Sequence, residues 1–499
     1  MRRNAFATRS LTLLAATALA ISGHGLANAA PFGPLPPANP FLGPVGTATM
    51  HGDAESSDTT PSAGPGTGAV DARYVPLLGA CPTILQGSDE MPMALCTNII
   101  GREPVVHLLD PATGASIASL TLTKGSLLGG VYAYVDDQDR MVMVDGNTDM
   151  LRIGHSRGGD GAWRLTIDSE TPLADPVTGH CGGGDCDAVN SLMPDRDGNV
   201  WLASALGVVG VVAPDGTVRT KILAGEQIAN SISTAAFGTA VTTDHATYLF
   251  TADSASAPTV VWRAEYDRGT ARKPGQLSWG SGASPTFFGP EKGNEYLAIT
   301  DNADAQESLI VYRSATGETV CEAPIFTPGS SGTEDSPVGS GNSVFLTSTY
   351  GYPYPALPEG AGPSSPAMAP IAGGMTRIDV NAAGDSCETV WENDIHSSAV
   401  PRLSLADGLL YTITRDALFP NAIAGSADLP IQEPMLDMAT GVLDSYSYTA
   451  IDAGTGEVRA RQQIGASAVV DTLEMVGMIT PDRVMYQGTI TGLLRIAPR

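Results

Sequence analysis

The sequence has no apolar run long enough to cross a membrane, and it is poor in basic residues. The run at residues 11–21 is its strongest, whereas a spanning helix needs about 20 apolar residues. Lys and Arg number 27 against 53 Asp and Glu, so the net charge is −26. Such a field repels nucleic acid and anionic lipid. These two shortages predict a protein that neither inserts into a membrane nor binds nucleic acid.

The apolar run is bounded in the manner of an export signal. Arg2 and Arg3 precede it, and Ala27-Asn28-Ala29 follow it as an A-x-A cleavage site, so residues 1–29 are predicted to be a signal peptide. No cysteine lies near the cut, which argues against a lipid anchor. Removing the segment takes away three arginines and no acid, so the net charge moves from −26 to −29. The sequence therefore predicts a secreted or extracytoplasmic, strongly acidic protein.

Cysteine is scarce, with six in the chain, and an exported protein uses such a set for disulfides. Six cysteines allow fifteen pairings, of which proximity in the sequence favours Cys81 with Cys96, Cys181 with Cys186, and Cys321 with Cys387. The first pair would join adjacent strands, and the last would link neighbouring blades of the repeat fold described next. A thiolate metal site at Cys181 and Cys186, with His180, is the alternative, although its spacing fits no common zinc pattern.

Long amphipathic helices are also missing, and short apolar runs recur instead about every 40 residues from residue 78 onwards. Four such runs per repeat, separated by turns, are typical of an all-β propeller. Eight units of four strands are counted, and seven blades stays open as the alternative. The first strands of the units are predicted near residues 82–86, 130–135, 188–193, 228–233, 285–288, 336–339, 400–405 and 473–478.

The eighth unit shows three strands where the others show four. An open edge would leave backbone groups unpaired, so propellers close the ring with a strand from the other terminus. Residues 30–77, rich in Pro, Gly, Ser and Thr, form an N-terminal arm that is the natural donor. Within this arm, residues 51–58 are dense enough in polar groups to be more than a linker. The predicted domains are thus the signal peptide 1–29, the arm 30–77 and the propeller 78–499.

One hairpin pattern, D-x-x-T-G between apolar runs, recurs along the chain. It occurs at residues 110–114 and 452–456, and more loosely at residues 313–317. Asp caps such a turn by accepting backbone N–H groups, and Gly takes the positive φ. The pattern resembles the quinoprotein-type propeller repeat, and residues 243–245 and 284–304 are similar to uncharacterised secreted bacterial propellers. The resemblance covers nearly the whole chain after the signal peptide, and it implies a fold more than an activity.

The resemblance also implies pyrroloquinoline quinone as a cofactor, but the chain departs from that class. Quinone-dependent dehydrogenases carry two adjacent cysteines at the cofactor, and this chain has none. Their repeats tend to end in a docking tryptophan, whereas only Trp262 and Trp391 lie near such positions. There is no C-x-x-C-H haem site to pass electrons onward. A quinone-dependent oxidoreductase is therefore the third interpretation of the function.

Two connections exceed the usual loop length, at residues 350–374 and 416–444. Each joins the second and third strands of its unit, and long connections of this kind are often functional. In a four-stranded blade these loops leave on the same face as the loops that enter the first strands. Both insertions are therefore predicted over one mouth of the hub, where Tyr350, Tyr352 and Tyr354 could form a stacking wall.

Polar side chains recur at the start of several first strands, which line the central channel. The predicted ligand-binding residues are Asn190, Asn230, Glu334 and Asp335. Asp301 and Asp304 follow the second strand of the fifth unit and are the predicted metal ligands. Such oxygens suit calcium, or hydrogen bonds to a polyhydroxylated ligand. Capping of the loop at each blade entrance is the alternative interpretation.

His245 with Asp244 is the acid–base candidate, because a neighbouring carboxylate can orient an imidazole. Adjacent residues of a strand point to opposite faces, so this pairing requires a turn at that position. The function predicted first is binding of a small or carbohydrate-like ligand at the hub mouth. A metal-assisted lyase or lactonase is the alternative, in which the hub oxygens hold the ion and His245 moves the proton.

Overall fold

The computed structural model describes residues 32–125, 131–253, 255–417 and 444–499. They form eight sheets, each built on four antiparallel strands and one extended by a fifth, parallel strand, arranged as the blades of a β-propeller, which confirms the eight-bladed fold. The predicted signal peptide at residues 1–29 lies outside the described residues, as does most of the insertion at residues 416–444. Among the described residues, no helix is both long and apolar enough to cross a membrane.

The strands of the arm and of the first four blades follow one another in chain order. The arm carries β1 (Thr59–Thr60) and β2 (Val70–Pro76). The first blade contains β3 (Gly79–Gln86), β4 (Pro92–Asn98), β5 (Pro104–Leu109) and β6 (Ser116–Thr121). The second contains β7 (Tyr134–Val135), β8 (Met141–Val144), β9 (Asp149–Arg157) and β10 (Trp163–Pro172). The third contains β11 (Val189–Pro194), β12 (Val200–Ser204), β13 (Val208–Val212) and β14 (Val218–Ile222), and the fourth β15 (Ser233–Ala235), β16 (Gly238–Thr242), β17 (Ala246–Ala252) and β18 (Pro258–Glu265).

The second half of the ring repeats this plan. The fifth blade contains β19 (Thr286–Phe288), β20 (Tyr296–Thr300), β21 (Ser308–Arg313) and β22 (Thr319–Pro324). The sixth contains β23 (Val338–Ser340), β24 (Ser343–Thr347), β25 (Met375–Val380) and β26 (Cys387–Asn393). The seventh contains β27 (Arg402–Ser404), β28 (Leu409–Ala417), β29 (Asp444–Asp452) and β30 (Val458–Ala466), and the eighth β31 (Gly477–Ile479), β32 (Met485–Thr489) and β33 (Gly492–Pro498). In the described ranges the helices are one short α-helix, α1 (Ala174–Thr178), and two 3-10 turns (Gly184–Cys186 and Ala468–Val470).

The ring closes as predicted, with a strand from the arm. β2 pairs antiparallel with β33 over seven residues, from Val70 opposite Pro498 to Pro76 opposite Gly492. It thereby becomes the fourth strand of the eighth blade and covers an edge that would otherwise be unpaired. Three first strands begin four or five residues later than the sequence pattern predicts, at Tyr134, Ser233 and Gly477. The residues before them belong to loops at the hub mouth.

The arm also runs through the hub, which the sequence did not predict. Residues 51–60 are all buried, and β1 adds a fifth strand to the seventh blade by pairing parallel with β27. Backbone carbonyls of the arm accept N–H groups from the first strands of six blades at 2.7–3.1 Å. These bonds run from Gln86 to Thr47, Val135 to Ala48, Thr234 to Ala54, Phe287 to Glu55, Gly339 to Ser57, and Leu403 to Asp58. The central channel is therefore occupied by the chain itself.

Two tryptophans dock neighbouring blades in the way the repeat pattern implies. Trp262 of β18 covers the hairpin at Gly317, where a Cβ atom would lie 2.6 Å from the indole ring, and its Nε1–H donates to the Ser314 carbonyl at 2.9 Å. Trp391 of β26 makes the corresponding contact with Gly456. Both glycines have φ near +75°. Glycine tolerates this positive φ, and its lack of a Cβ atom leaves room for the indole ring.

All three predicted disulfides are present. Cys81–Cys96 joins β3 to β4 within the first blade. Cys181–Cys186 closes a short loop before the third blade. Cys321–Cys387 joins β22 to β26, so it links the outer strands of the fifth and sixth blades, as expected.

Candidate functional site

A cavity of about 380 Å³ lies at the hub mouth, on the face predicted from the blade topology. Its floor is the arm at Met50 and His51, its sides are the entrances of the first strands, and its roof is the insertion between β24 and β25. Tyr354 and Ala356 come from that insertion. Most of the lining is apolar, and the polar groups are few, as in small-molecule sites generally.

His51 is held rigidly at the floor of this cavity. Its Nδ1 lies 2.9 Å from the Asp58 carboxylate, and its ring stacks on Tyr132 with centroids 6.4 Å apart. Asp58 is wholly buried, and its second oxygen lies 3.4 Å from a guanidinium nitrogen of Arg402, which is also buried. The remaining nitrogen of His51, Nε2, lies 3.4 Å from the hydroxyl of Ser284. The imidazole is thus fixed in orientation by a compensated carboxylate.

Two carboxyl groups of the cavity wall are protonated more readily than ordinary glutamates. Burial raises the pKa of Glu334 to about 8, although its Oε2 accepts the Leu277 N–H at 2.8 Å. Burial, followed by the nearby Asp335 charge, raises the pKa of Glu474 well above its usual value. Because the uncharged form of a carboxyl group carries an O–H, Glu334 can donate a hydrogen bond into the cavity at neutral pH, and the raised pKa of Glu474 favours the same form there.

The predicted ligand-binding residues separate into three places. Asn230 and Glu334 line the hub cavity. Asn190 lines a second cavity of about 300 Å³ beside it, and its amide donates to the Ile228 carbonyl at 2.8 Å. Asp335 is 1% exposed and accepts the Thr347 hydroxyl. Two of the four residues therefore face the same space.

The predicted metal ligands Asp301 and Asp304 accept backbone N–H groups, Asp301 within its own loop and Asp304 from the loop that contains Thr270. Asp301 accepts the backbone N–H groups of Ser308 at 2.7 Å and Ala303 at 3.3 Å, and burial raises its pKa to about 6. Asp304 accepts the N–H of Thr270 at 2.8 Å. Within the described ranges, no three His, Cys, Asp or Glu side chains come close enough to share an ion. These contacts use Asp301 and Asp304 as caps of loops, and the calcium site stays a prediction.

Pyrroloquinoline quinone does not fit the hub cavity either. This cofactor carries three carboxylates, whereas Arg102 is the one lysine or arginine side chain among the residues that line the cavity. Bringing three carboxylates into a mainly apolar site with a single such cation to pair with them is destabilising. The chain also lacks the adjacent cysteine pair of the quinone-dependent class.

Asp244 and His245 lie in the turn between β16 and β17. Their side chains are therefore not directed to opposite faces, as they would be in a regular strand. Their side chains meet, with His245 Nδ1 at 2.9 Å from the Asp244 carboxylate. Arg268 holds both partners, because its guanidinium contacts His245 Nε2 at 2.5 Å and Asp244 at 2.7 Å, and it stacks on Trp279. Asp244 lines the second cavity, and neither nitrogen of His245 is without a partner.

The predicted tyrosine wall divides into one lining residue and two anchors. Tyr354 lines the hub cavity. Tyr350 and Tyr352 are buried, and the hydroxyl of Tyr352 donates to Asp471 of the eighth blade at 3.0 Å. This contact fastens the insertion across the hub mouth.

The sequence interpretation missed His51 and Glu474 as members of the site. The position of Glu474 in its blade could have indicated it. Glu474 lies three residues before β31, as Asn230 lies three residues before β15. His51 stands in the polar segment of the arm that had been singled out, but its position in the hub depends on contacts across hundreds of residues.

No protein-family model matches this chain. No curated protein sequence matches it either. Among solved structures, the Dos1 propeller is similar with a TM-score of 0.48 and 8% identity, over 87% of this chain and 95% of that one. A europium-containing methanol dehydrogenase gives 0.47 and 9%, over 90% and 98%. A streptogramin B lyase gives 0.39 and 10%, over 88% and 100%. At these identities the likeness concerns the fold alone.

Glu334→Gln is expected to flatten the pH dependence of stability between about pH 5 and pH 8. A carboxyl group with a raised folded-state pKa binds more protons when folded, so its stabilising contribution is lost as the pH rises through that value. Glutamine keeps the shape and does not titrate. Relative to the wild type, the variant should gain free energy of unfolding as the pH rises, by at most about 1.4 kcal/mol per pH unit.

Urea denaturation at pH 5, 6.5 and 8 measures this difference. Glu359→Gln is the matched control, since Glu359 is exposed on the same face and should leave the profile unchanged. Parallel profiles for Glu334→Gln and the wild type would contradict the assignment of a raised pKa to Glu334.

Proposed function

We propose that this protein binds a small, uncharged organic ligand with hydrogen-bond acceptors in the hub cavity. One observation carries the proposal: Glu334 and Glu474, whose pKa values are raised by burial, face a mainly apolar cavity at the hub mouth. An apolar body would pack on the walls, and carbonyl, ether or hydroxyl oxygens would accept the O–H groups. Anionic ligands are disfavoured by the acidic chain, with its net charge of −26.

The aromatic groups of the cavity support a flat or ring-shaped ligand. Tyr132 lies on one side, stacked on His51, and Tyr354 lies in the roof. Aromatic faces pack well on sugar rings and on planar esters, so lactones, esters and sugar derivatives form the expected class.

The proposal includes secretion and membership of the quinoprotein-like repeat class. The two tryptophan docking contacts support the repeat class. Three disulfides in one chain are typical of an oxidising compartment, which supports export.

Ala356→Trp is expected to abolish ligand binding, because Ala356 lines the cavity and an indole there would fill it. The probe is the neutral fluorescent ketone prodan, whose emission shifts to the blue in apolar surroundings. Wild-type protein should bind one prodan per chain in a saturable titration, and Ala356→Trp should weaken that binding by roughly tenfold or more.

Ala367→Trp is the matched control. It makes the same substitution in the same insertion, at an exposed residue that lines neither cavity. Equal binding by the two variants, or no saturable binding by the wild type, would contradict the proposed function.

A further inference from the structure

Asp58, His51 and Ser284 lie in a row at the floor of the hub cavity, although they come from the arm and the fifth blade. Nδ1 of His51 is 2.9 Å from Asp58, and Nε2 is 3.4 Å from the Ser284 hydroxyl. His51 and Ser284 are 4% and 2% exposed, and both line the cavity. A carboxylate, an imidazole and a hydroxyl in this order are the components of a nucleophile relay.

The hydrogen bonds around Ser284 direct its proton towards His51. The Ser231 hydroxyl donates to Ser284 Oγ at 2.8 Å, and the Ser231 backbone N–H approaches the same oxygen at 3.3 Å. These two contacts occupy the hydrogen-bond acceptor positions of Ser284 Oγ. Among the described residues, His51 Nε2 is the acceptor within reach of the Ser284 O–H. Since Asp58 accepts a hydrogen bond from the Nδ1–H of His51, Nε2 carries the lone pair that accepts the Ser284 proton.

Asp58 is placed to position the imidazole and to stabilise its charged form. It is buried, and Arg402 compensates its charge at 3.4 Å. The guanidinium is in turn held by the Gly477 carbonyl at 2.9–3.1 Å. A fixed carboxylate of this kind lowers the cost of forming an imidazolium next to the ligand.

We infer that the hub cavity is the active site of a serine hydrolase that cleaves small carboxylic esters, with Ser284 as nucleophile, His51 as general base and acid, and Asp58 as positioning residue. This inference rests on the proposed function, because the ester must first bind in the cavity. It uses residues of the arm and needs water as its only co-substrate.

The reaction balances with these groups alone. Ser284 Oγ bonds to the ester carbonyl carbon while its proton passes to His51 Nε2. The carbon–oxygen bond to the alcohol then breaks, and the alcohol oxygen takes the proton from His51. Water next attacks the acyl group on Ser284 and gives a proton to His51, which returns it to Ser284 Oγ as the carboxylic acid leaves.

The rim of the cavity indicates an ester with an apolar acyl chain. Ile99 lines the cavity and is 55% exposed, and the adjacent Ile100 is 88% exposed. Leu78 accepts the Ile99 N–H through its carbonyl and is itself exposed. An acyl chain leaving the cavity would cover these side chains and remove apolar surface from water. The acyl chain of p-nitrophenyl butyrate is apolar, so this ester is a suitable probe.

The test uses the full chain with p-nitrophenyl butyrate and a fluorophosphonate probe. Wild-type protein should hydrolyse the ester and should gain one phosphonyl group, which peptide mass mapping places on Ser284. Ser284→Ala should lower kcat/KM by roughly 100-fold or more and abolish labelling. Ser116→Ala is the matched control, because its hydroxyl lies 2.9 Å from Nδ1 of another imidazole, His107, and lines neither cavity. That variant should stay within about threefold of the wild type.

The outcomes separate the two proposals. If prodan binds but the wild type neither turns over nor becomes labelled, the hydrolase is overturned and ligand binding stands. If prodan does not bind, the proposed function itself fails. Hydrolysis retained by a folded Ser284→Ala, or a label on another residue, would also overturn the relay. The labelling of wild-type protein decides the matter even where Ser284→Ala does not fold.

Discussion

Replacing Arg402 with methionine is expected to lower the free energy of unfolding by about 3–5 kcal/mol. Arg402 is 1% exposed, and its guanidinium contacts Asp58 and donates to the Met50 and Gly477 carbonyls. Methionine keeps most of the volume but leaves the Asp58 charge buried without a cation. It also leaves two buried carbonyls short of a donor, and removing one partner of such a group costs its full desolvation.

Chemical denaturation monitored by tryptophan fluorescence measures this loss. Arg73→Ala is the control: that side chain is 54% exposed and pairs with Asp71 on the surface, so its removal should cost less than about 1 kcal/mol. The double variant Arg402→Met with Asp58→Asn should cost clearly less than the sum of the two single changes, because the uncompensated charge is then absent. Additive single effects would show that Arg402 does not compensate Asp58.

A chain that begins at residue 78 is expected not to fold cooperatively. It lacks β2, so the seven-residue edge of β33 is left unpaired. It also lacks the arm segment whose carbonyls accept hydrogen bonds from the first strands of six blades. Together these losses exceed the roughly 5–15 kcal/mol by which a domain is normally stable. Thermal melts and near-ultraviolet circular dichroism report the loss directly.

Adding a peptide of residues 32–77 to that chain should restore the cooperative melt, because the missing contacts are non-covalent. The control is a full chain with a protease site inserted after Thr67, which is exposed and lies between β1 and β2. Cleavage there should leave the arm bound and the melt nearly unchanged. A cooperative melt from residues 78–499 alone would contradict the structural role assigned to the arm.

The parts of the fold that sequence patterns predicted are those fixed by local chemistry. In the hairpin at Asp110 the carboxylate accepts the N–H groups of Ala112 and Thr113 at 3.0 and 2.9 Å, within the same turn. Because such turns separate apolar strands at regular intervals, the blades could be counted from the sequence. The missing strand of the eighth unit then required a donor, since an unpaired edge is unfavourable.

The sequence predicted only those residues of the candidate site that stand at equivalent positions of different blades. Asn230 and Glu334 stand at equivalent entrances of their blades, so their shared position at the hub mouth followed from topology. Asp301 and Asp304 carried the same residue chemistry but accept backbone N–H groups instead, Asp301 from Ser308 in its own loop and Asp304 from Thr270 in the loop before β19. Residue type alone does not distinguish a carboxylate that binds a metal ion from one that caps a loop.

The sequence by itself determined the eight-bladed propeller, its closure by the arm and the three disulfide pairs, because each rests on a short-range repeat, an edge that must be covered or proximity along the chain. Only the tertiary structure decided what fills the hub. Ser284 meets His51 across 233 residues, and Arg402 meets Asp58 from the seventh blade. Such contacts depend on the geometry of the eight-bladed ring and on the pairing of buried charges. A local sequence pattern shows neither of them.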